Sequence, residues 1–510
     1  MIDQKTHRIV LRPLQAELVA PAGAALRDLL FAQGVEFPCG GQGRCRGCRV
    51  RVLEGTAEVN AAQRERLSAE ELASGWRLAC QCSLHDDLVI ELRQWDAAIL
   101  VDDTPFAFQP REGFGVAVDL GTTTLVAQLL DLRTGCVLAV RTALNSQARF
   151  GADVMSRVRF AVVEGGQPQL RDSIRAQIGS LIEQLVFAAQ IPGAEIRKVA
   201  LVGNTVMHHL FCGLDVEPLS RYPFESPHLG LQALTAGELG WKLQGSPQVH
   251  FLPCLGGFVG SDILAGMLAT NLGEREDLNA LVDLGTNGEI VIGNRERLLC
   301  ASTAAGPAFE GARISMGMRA STGAISEVKV EDQQLRCRVL GNVPPQGLCG
   351  SGLVDAVAAG LDLGRIQASG RFANGTGAWE LSPPVALTQG DIRELQLAKG
   401  AIAAGIRILL ERCGASPREV TKLYLAGAFG NYINRTSAAR IGLIGFPSEK
   451  VEAAGNTALL GAKLALFSPE GEDGSYTRLR SRTEHVALNA DPSFQEIFVE
   501  ELAFPQGTHA

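Results

Sequence analysis

Apolar and polar positions follow two periods along this chain, and the switches between them mark out its parts. Residues 7–10 and 16–19 are short apolar runs that predict strands, and residues 24–33 (A-A-L-R-D-L-L-F-A-Q) return their apolar side chains at helical spacing. Residues 89–92 read as a closing strand. Residues 94–113, with Asp102, Asp103, Pro105 and Pro110, lose all periodicity and read as a linker.

Past the linker one plan occurs twice. Residues 115–143 hold three apolar runs broken at Gly121-Thr122 and at Arg133-Thr134-Gly135, which predicts a three-strand meander. Residues 281–302 repeat it, with a turn near Asn294 and Arg295. Between the copies, residues 174–189 predict an amphipathic helix, and residues 198–202 a buried strand that ends at Gly203-Asn204-Thr205 before a helix over 206–211. After the second copy come a hairpin over 323–338, a loop over 342–346, and a turn at Leu348-Cys349-Gly350-Ser351-Gly352 that leads into a helix. Another strand runs into the Gly turn Gly427-Ala428-Phe429-Gly430-Asn431, and a helix spans 457–466.

The first turn of each meander is nearly the same: Val118-Asp119-Leu120-Gly121-Thr122-Thr123-Thr124 and Val282-Asp283-Leu284-Gly285-Thr286-Asn287-Gly288. Either D-L-G-T alone reads equally well as an ordinary hairpin turn. Two on matching backgrounds indicate a duplicated fold. The chemistry suits a nucleoside triphosphate: Gly lets backbone approach phosphate, turn N–H groups and Thr hydroxyls face the anion, and the Asp holds Mg²⁺ through water.

Composition narrows the classes. The chain has 510 residues, 46% of them hydrophobic and 20% charged, so it is globular and multidomain. Its net charge of -8 argues against a general nucleic-acid binder. The sequence shows neither an apolar leader nor a membrane-length apolar run, which predicts a cytoplasmic protein. There, 12 Cys are expected to be reduced, metal-bound or buried rather than disulfide-linked.

The clustered cysteines lie in Pro38-Cys39-Gly40-Gly41-Gln42-Gly43-Arg44-Cys45-Arg46-Gly47-Cys48, spaced C-x5-C-x2-C, with Leu78-Ala79-Cys80-Gln81-Cys82 downstream. Thiolates on a Gly-rich loop can surround an inorganic cluster, because Gly bends the chain and frees N–H groups for sulfur. A four-cysteine zinc site also uses C-x2-C, but it usually pairs two such knuckles and only one is present. The loop resembles that of 2Fe-2S ferredoxins, which implies Cys39, Cys45, Cys48 and Cys80 as ligands, with Cys82 as the rival for the fourth place. Arg44, Arg46, Arg49 and Arg51 crowd the loop, either as a docking patch for an acidic redox partner or as a solvated face.

The duplicated loops resemble the ATPase superfamily of acetate and sugar kinases, heat-shock chaperone ATPases and actin. That resemblance implies two ribonuclease-H-like lobes. Asp119, Gly121, Thr122 and Thr123 match the first phosphate motif; Asp283, Gly285, Thr286, Asn287 and Gly288 match the second. Gly427 and Gly430 match the adenosine motif, and Gly203, Asn204, Thr205, Gly350, Ser351 and Gly352 the connecting elements. A 2Fe-2S domain fused to such an ATPase resembles the reductive activators of corrinoid-dependent methyltransferases, over nearly the whole chain, including A-A-G-P-A-F-E-G and L-A-G-A-F-G-N-Y.

The expected architecture is therefore α/β and α+β multidomain. A β-grasp ferredoxin-like domain takes residues 1–93, a linker 94–113, a first ATPase lobe 114–270, and a second lobe with the adenosine motif 271–510. Longer members of the resembled family insert a middle domain between cluster and ATPase, for which residues 94–113 leave room only as a linker. The cofactors implied are a 2Fe-2S cluster, ATP and Mg²⁺. The partners implied are a corrinoid protein and an electron donor, with room for a homodimer.

Stray oxidation of cob(I)alamin leaves inactive cob(II)alamin, and reversing it takes one low-potential electron. Plant-type clusters sit near about -400 mV, and each ~59 mV uphill costs about 1.4 kcal/mol for one electron. The resemblance implies that ATP makes up the shortfall, with Asp119 and Asp283 sharing the placing of Mg²⁺ and the attacking water. Two rival readings are a small-molecule kinase with a redox-sensing domain and a non-enzymatic, nucleotide-switched electron carrier.

Overall fold

The computed structural model describes residues 5–12, 16–31, 48–92, 106–191, 196–243, 246–285, 287–311, 313–320, 323–375, 377–430, 433–468 and 474–506. The chain divides into two units. Met1–Ala98, Gly306–Ala398 and Ala503–Ala510 form one, and Ile99–Ala305 with Lys399–Leu502 form the other.

In the first unit a five-stranded sheet runs in the order Ala16–Pro21, Thr6–Arg12, Leu88–Leu92, Arg49–Glu54, Trp76–Leu78. Thr6–Arg12 pairs antiparallel with Ala16–Pro21 and parallel with Leu88–Leu92, and helix Leu26–Phe31 follows the hairpin, as in a β-grasp. Side-chain alternation fixes the register: His7, Ile9 and Leu11 turn inward while Thr6, Arg8 and Arg12 face water. Ile9, Leu11, Leu26, Leu30, Leu84 and Ile90 are fully buried together, each contributing roughly 1.5–3 kcal/mol.

Residues 306–398 belong to the same unit. Strands Gln334–Val339, Ala324–Glu331 and Gly347–Leu348 make a small sheet beside helix Gly350–Asp362. A Cβ on Gly352 would lie 2.2 Å from the Ile325 carbonyl oxygen, so the small residues of this helix let it lie directly on the strand. Arg49 of the ferredoxin sheet donates from Nη2 to the Gln346 carbonyl at 3.2 Å.

The second unit contains the duplication. In one sheet, Phe114–Leu120 pairs antiparallel with Thr124–Asp131, and that strand with Val137–Leu144. On its other side Ile196–Val202 and then Gln248–Phe251 run parallel, with Gln232–Thr235 antiparallel at the edge. In the other sheet Asn279–Leu284, Gly288–Gly293 and Leu298–Thr303 repeat the meander, and Lys422–Ala426 and Val451–Gly455 repeat the parallel pair. This is the ribonuclease-H-like order twice.

Helix Gln167–Ala189 begins earlier than its apolar period predicts, because its first turn is polar and carries a Pro; Leu170, Ile174, Ile178, Ile182 and Leu185 face the core. Helices Ser261–Ala269 and Thr457–Leu466 share one core with both sheets, through Ile263, Leu264, Leu459 and Ala462 against Ala117, Val202, Leu281 and Val291. They touch backbone to backbone: a Cβ on Gly461 would sit 2.3 Å from the Ala265 carbonyl oxygen.

Residues 106–113, the end of the predicted linker, are packed rather than free. Phe106 and Phe108 lie 5.4 and 4.6 Å from the Phe467 ring, and the Arg111 N–H donates to the Leu132 carbonyl at 2.9 Å.

Candidate nucleotide and cluster sites

The first D-L-G-T loop is held from behind. Asn145 Nδ2 donates to the Gly121 carbonyl at 2.9 Å, Arg157 Nη2 to the Thr122 carbonyl at 2.6 Å, and the Asn145 N–H to the Thr123 carbonyl at 2.8 Å. Each peptide's N–H points opposite its carbonyl. The N–H groups of Thr122 and Thr123 therefore face away from these partners, as a phosphate loop requires. A Cβ on Gly121 would lie 2.5 Å from the Thr124 carbonyl oxygen, so the turn accepts only Gly.

Gly203, Asn204 and Thr205 join this loop. Asn204 caps helix Thr205–Cys212, with Oδ1 accepting the Met207 N–H at 3.0 Å, and its Nδ2 donates to Thr122 Oγ1 at 2.8 Å. The Ser261 N–H donates to the Gly203 carbonyl at 2.9 Å, and Thr205 Oγ1 to the Gly256 carbonyl at 2.7 Å. These bonds bring the start of helix Ser261–Ala269, and with it Asp262, to the loop.

Four carboxyls meet here. Asp119 is pushed up to about 6 by burial, against a bond from Asn456 Nδ2 to its Oδ2 at 2.9 Å. Asp283 is pushed up to about 7 by burial and then by the charge of Asp119. Asp262 is pushed up to about 7 by burial, then by Asp283 and Asp119. Glu289 is raised well above its ordinary value by burial, then by Asp262 and Asp283. It pairs in register with Asp283 on the neighbouring strand, a like-charge arrangement that costs stability.

Such a cluster gains from a divalent cation, which would return the acids to their ionised forms. Among the described residues no three His, Cys, Asp or Glu side chains are grouped to hold a metal by themselves. Mg²⁺ bound by one or two carboxylates, waters and phosphate oxygens fits this arrangement.

In the second loop the Gly285 N–H donates to the Asn287 carbonyl at 3.0 Å, and Asn287 also bonds Glu289. The Gly288 carbonyl accepts from Thr303 Oγ1 at 3.2 Å. Thr286 lies outside the described residues. Gly427 follows strand Lys422–Ala426 at φ +83°, where a Cβ would lie 2.4 Å from Asp283 Oδ1. Its missing side chain thus makes room for the carboxylate, a role the sequence did not indicate. Gly430 packs against Leu425. Gly350, Ser351 and Gly352 fall in the other unit, where Ser351 Oγ donates to the Ser326 carbonyl at 2.8 Å.

In the ferredoxin sheet, Arg49 pairs with Leu78, and the Ala79 N–H donates to the Cys48 carbonyl at 3.1 Å. This sets Cys48 beside the turn Ala79–Gln81, and Cys48 and Cys80 share one small apolar cluster with Leu67, Leu78 and Trp76. Cys82 belongs instead to the main core. Its Sγ donates to the Leu78 carbonyl at 3.4 Å, which holds it in the core, and burial pushes its thiol up to about 11. Cys39 and Cys45 lie outside the described residues, as do Arg44 and Arg46; the two described partners, Cys48 and Cys80, fit one half of a cluster site. Arg49 bonds Glu71 at 3.1 Å and Arg51 the Ser74 carbonyl at 3.0 Å, so both are engaged within their own unit.

Sequence reasoning missed Asp262, Glu289 and Asn456. The Gly-rich run Gly256-Gly257-Phe258-Val259-Gly260 before Ser261-Asp262, and a Glu inside the apolar strand Gly288–Gly293, were the available signals. His208 and His209 of helix Thr205–Cys212 are held by protein acceptors and hydroxyls: His209 Nε2 bonds Ser226 Oγ at 2.7 Å and His208 Nε2 the Gly230 carbonyl at 3.2 Å.

Three family models match the chain. They are a 2Fe-2S iron-sulfur cluster binding domain over residues 9–85, the RACo middle region over 114–275, and the C-terminal domain of RACo, the ASKHA domain, over 277–510. A corrinoid activation enzyme, RamQ, from Eubacterium limosum is 31% identical over 98% of this chain and 99% of its own length. That alignment spans 598 positions, more than the 510 residues here, so the relative carries insertions that this chain lacks. A [Co(II) methylated amine-specific corrinoid protein] reductase from Methanosarcina barkeri is 28% identical over 77% of each chain. A solved structure, a reductive activator for corrinoid, iron-sulfur protein, aligns with a TM-score of 0.69 and 27% identity over 98% of both chains.

Proposed function

The chain belongs to the family of reductive activators of corrinoid proteins, and from that membership we propose that it uses ATP to return a corrinoid protein from the cob(II) to the cob(I) state. The observation that carries this reading is the pairing of two sites in one chain: Asp119 and Asp283 on equivalent strand ends of a duplicated ATPase fold, and Cys48 beside Cys80 in a ferredoxin sheet.

Cys39, Cys45, Cys48 and Cys80 hold the cluster in this reading. A 2Fe-2S cluster supplies a one-electron carrier when bound. Cob(II) gains one electron and becomes cob(I); the electron comes from a separate donor protein or small reductant. The sheets repeated within residues 114–270 and 271–510 serve as the two nucleotide lobes, residues 306–398 and 503–510 grouping instead with the ferredoxin sheet.

The chain's own groups supply the hydrolysis of ATP to ADP and phosphate. The Thr122 and Thr123 N–H groups bind phosphate oxygens, Asn456 holds the Asp119 carboxylate in place, and Asp119 and Asp283 divide Mg²⁺ and the attacking water between them. The buried carboxyls disfavour further uncompensated negative charge, so nucleotide would enter with its cation, held by Asp119 or Asp283. ATP then acts by binding one arrangement of the protein better than another, and the corrinoid protein is the partner whose affinity follows that arrangement. The place of work inferred is the cytoplasm, where thiols stay reduced.

Anaerobic absorption spectroscopy tests this. Protein, reductant and a cob(II)alamin-loaded corrinoid protein are mixed with and without Mg-ATP, and cob(I)alamin is followed. ATP-dependent cob(I)alamin that Asp283→Ala or Cys45→Ser abolishes is expected. Equal reduction without ATP would reject the coupling, and a colourless zinc-loaded protein would reject the redox half.

A further inference from the structure

Behind the first phosphate loop lies a polar group that the apolar core around it does not need. Asn145, Gln147 and Arg157 are fully buried there. Arg157 Nη2 donates to the Thr122 carbonyl at 2.6 Å, Nε to the Gly151 carbonyl at 2.9 Å, and Nη1 to Gln147 Oε1 at 3.3 Å. Every acceptor is neutral. Among the described residues no carboxylate forms an ion pair with Arg157; Asp153 contributes only a secondary favourable charge, and its Oδ1 accepts the Ser156 N–H at 2.8 Å as a helix cap.

A buried guanidinium without an anion is costly. Bracing alone would not call for it, since neutral Asn145 braces the Gly121 and Thr123 carbonyls of the same loop. A retained cation points to an anion outside the chain. The peptide between Thr122 and Thr123 shows where: its carbonyl takes the guanidinium proton, so its N–H faces the opposite side and is strengthened as a donor by that bond.

We propose that Arg157 is a positioning residue for ATP, whose charge acts through the Thr122–Thr123 peptide as a counter-charge to the bound phosphates. The inference rests on the reading of Gly121-Thr122-Thr123 as the phosphate loop. It adds a cation that never touches nucleotide and lies on a helix, Val154–Val163, with no place in either D-L-G-T motif.

Calorimetric titration of the full chain with Mg-ATP and with adenosine tests it, because a charge effect scales with ligand charge and a shape effect does not. Arg157→Gln is expected to weaken ATP about tenfold, ~1.4 kcal/mol, and to leave adenosine unchanged. Arg157→Lys, which keeps the cation without the fork, is expected to retain most of the preference for ATP over adenosine. Equal losses for both ligands, or no loss for ATP, would overturn the proposal. Where Arg157→Gln does not fold, Arg157→Lys decides, and loss of its ATP preference overturns the proposal. A wild-type chain that binds no ATP would instead reject the nucleotide reading itself.

Discussion

Gly427→Ala separates what the fold needs from what the chemistry needs. Gly427 sits at φ +83°, and a Cβ there would lie 2.4 Å from Asp283 Oδ1 and 3.0 Å from the Leu284 carbonyl oxygen. Gly414, at φ +64°, has nothing within 4 Å of such a Cβ, so Gly414→Ala incurs only the left-handed backbone cost, about 1–2 kcal/mol. At Gly427 the same cost applies, and the clash is relieved most cheaply by turning the short Asp283 side chain. Gly427→Ala is therefore expected to lose somewhat more unfolding free energy in urea than Gly414→Ala, because the contact with the Leu284 carbonyl remains after Asp283 turns. Moving Asp283 by the ~1 Å needed to restore contact distance is expected to slow ATP hydrolysis on the order of 10²-fold. Phosphate release at saturating Mg-ATP reads the difference, with Gly414→Ala retaining wild-type turnover. Wild-type turnover by Gly427→Ala would refute the placement of Asp283 in the reaction.

Three further outcomes follow from the geometry. Cys80→Ser is expected to strip the visible absorption of the cluster while Cys82→Ser retains it, because Cys82 points into the main core; the purified proteins' spectra decide. Chelating Mg²⁺ is expected to stop phosphate release and leave that absorption unchanged. His208 is lowered from 6.5 to about 3 by burial and then by His209. The folded chain therefore keeps His208 neutral where the unfolded chain protonates it, and its contribution, full above pH 6.5, is lost as pH falls toward 3. Unfolding free energies of wild type and His208→Gln are expected to converge through that window by about 1.4 kcal/mol per pH unit.

Local pattern carried the elements that repeat. The two meanders, the strand before Gly203 and the short apolar run of the first strand were all legible, because their buried residues lie close together in sequence. The ribonuclease-H-like order came only with the resemblance to the ATPase superfamily, since the pairing of Phe114–Leu120 with Ile196–Val202 is set by strands far apart. The acidic site was half legible. Asp119 and Asp283 announced themselves by Gly-Thr turns, whereas Asp262 opens a helix that reaches them only through the Gly203–Ser261 bonds. Glu289 sits where the strand pattern asks for an apolar residue, and only its register opposite Asp283 explains it. The grouping of residues 306–398 with the ferredoxin sheet left no local mark, because it depends on contacts such as Arg49 with Gln346.

The bond from Asn456 to Asp119 joins residues 337 positions apart. On the ribosome, both D-L-G-T loops and every strand of the first sheet emerge long before Asn456 does. Until then the carboxylate at the end of its central strand Phe114–Leu120 has no Asn456 donor to fix it. The helix that Asn456 caps thus does two things at once, late in translation: it closes the core shared by both sheets and it brings the donor that fixes Asp119.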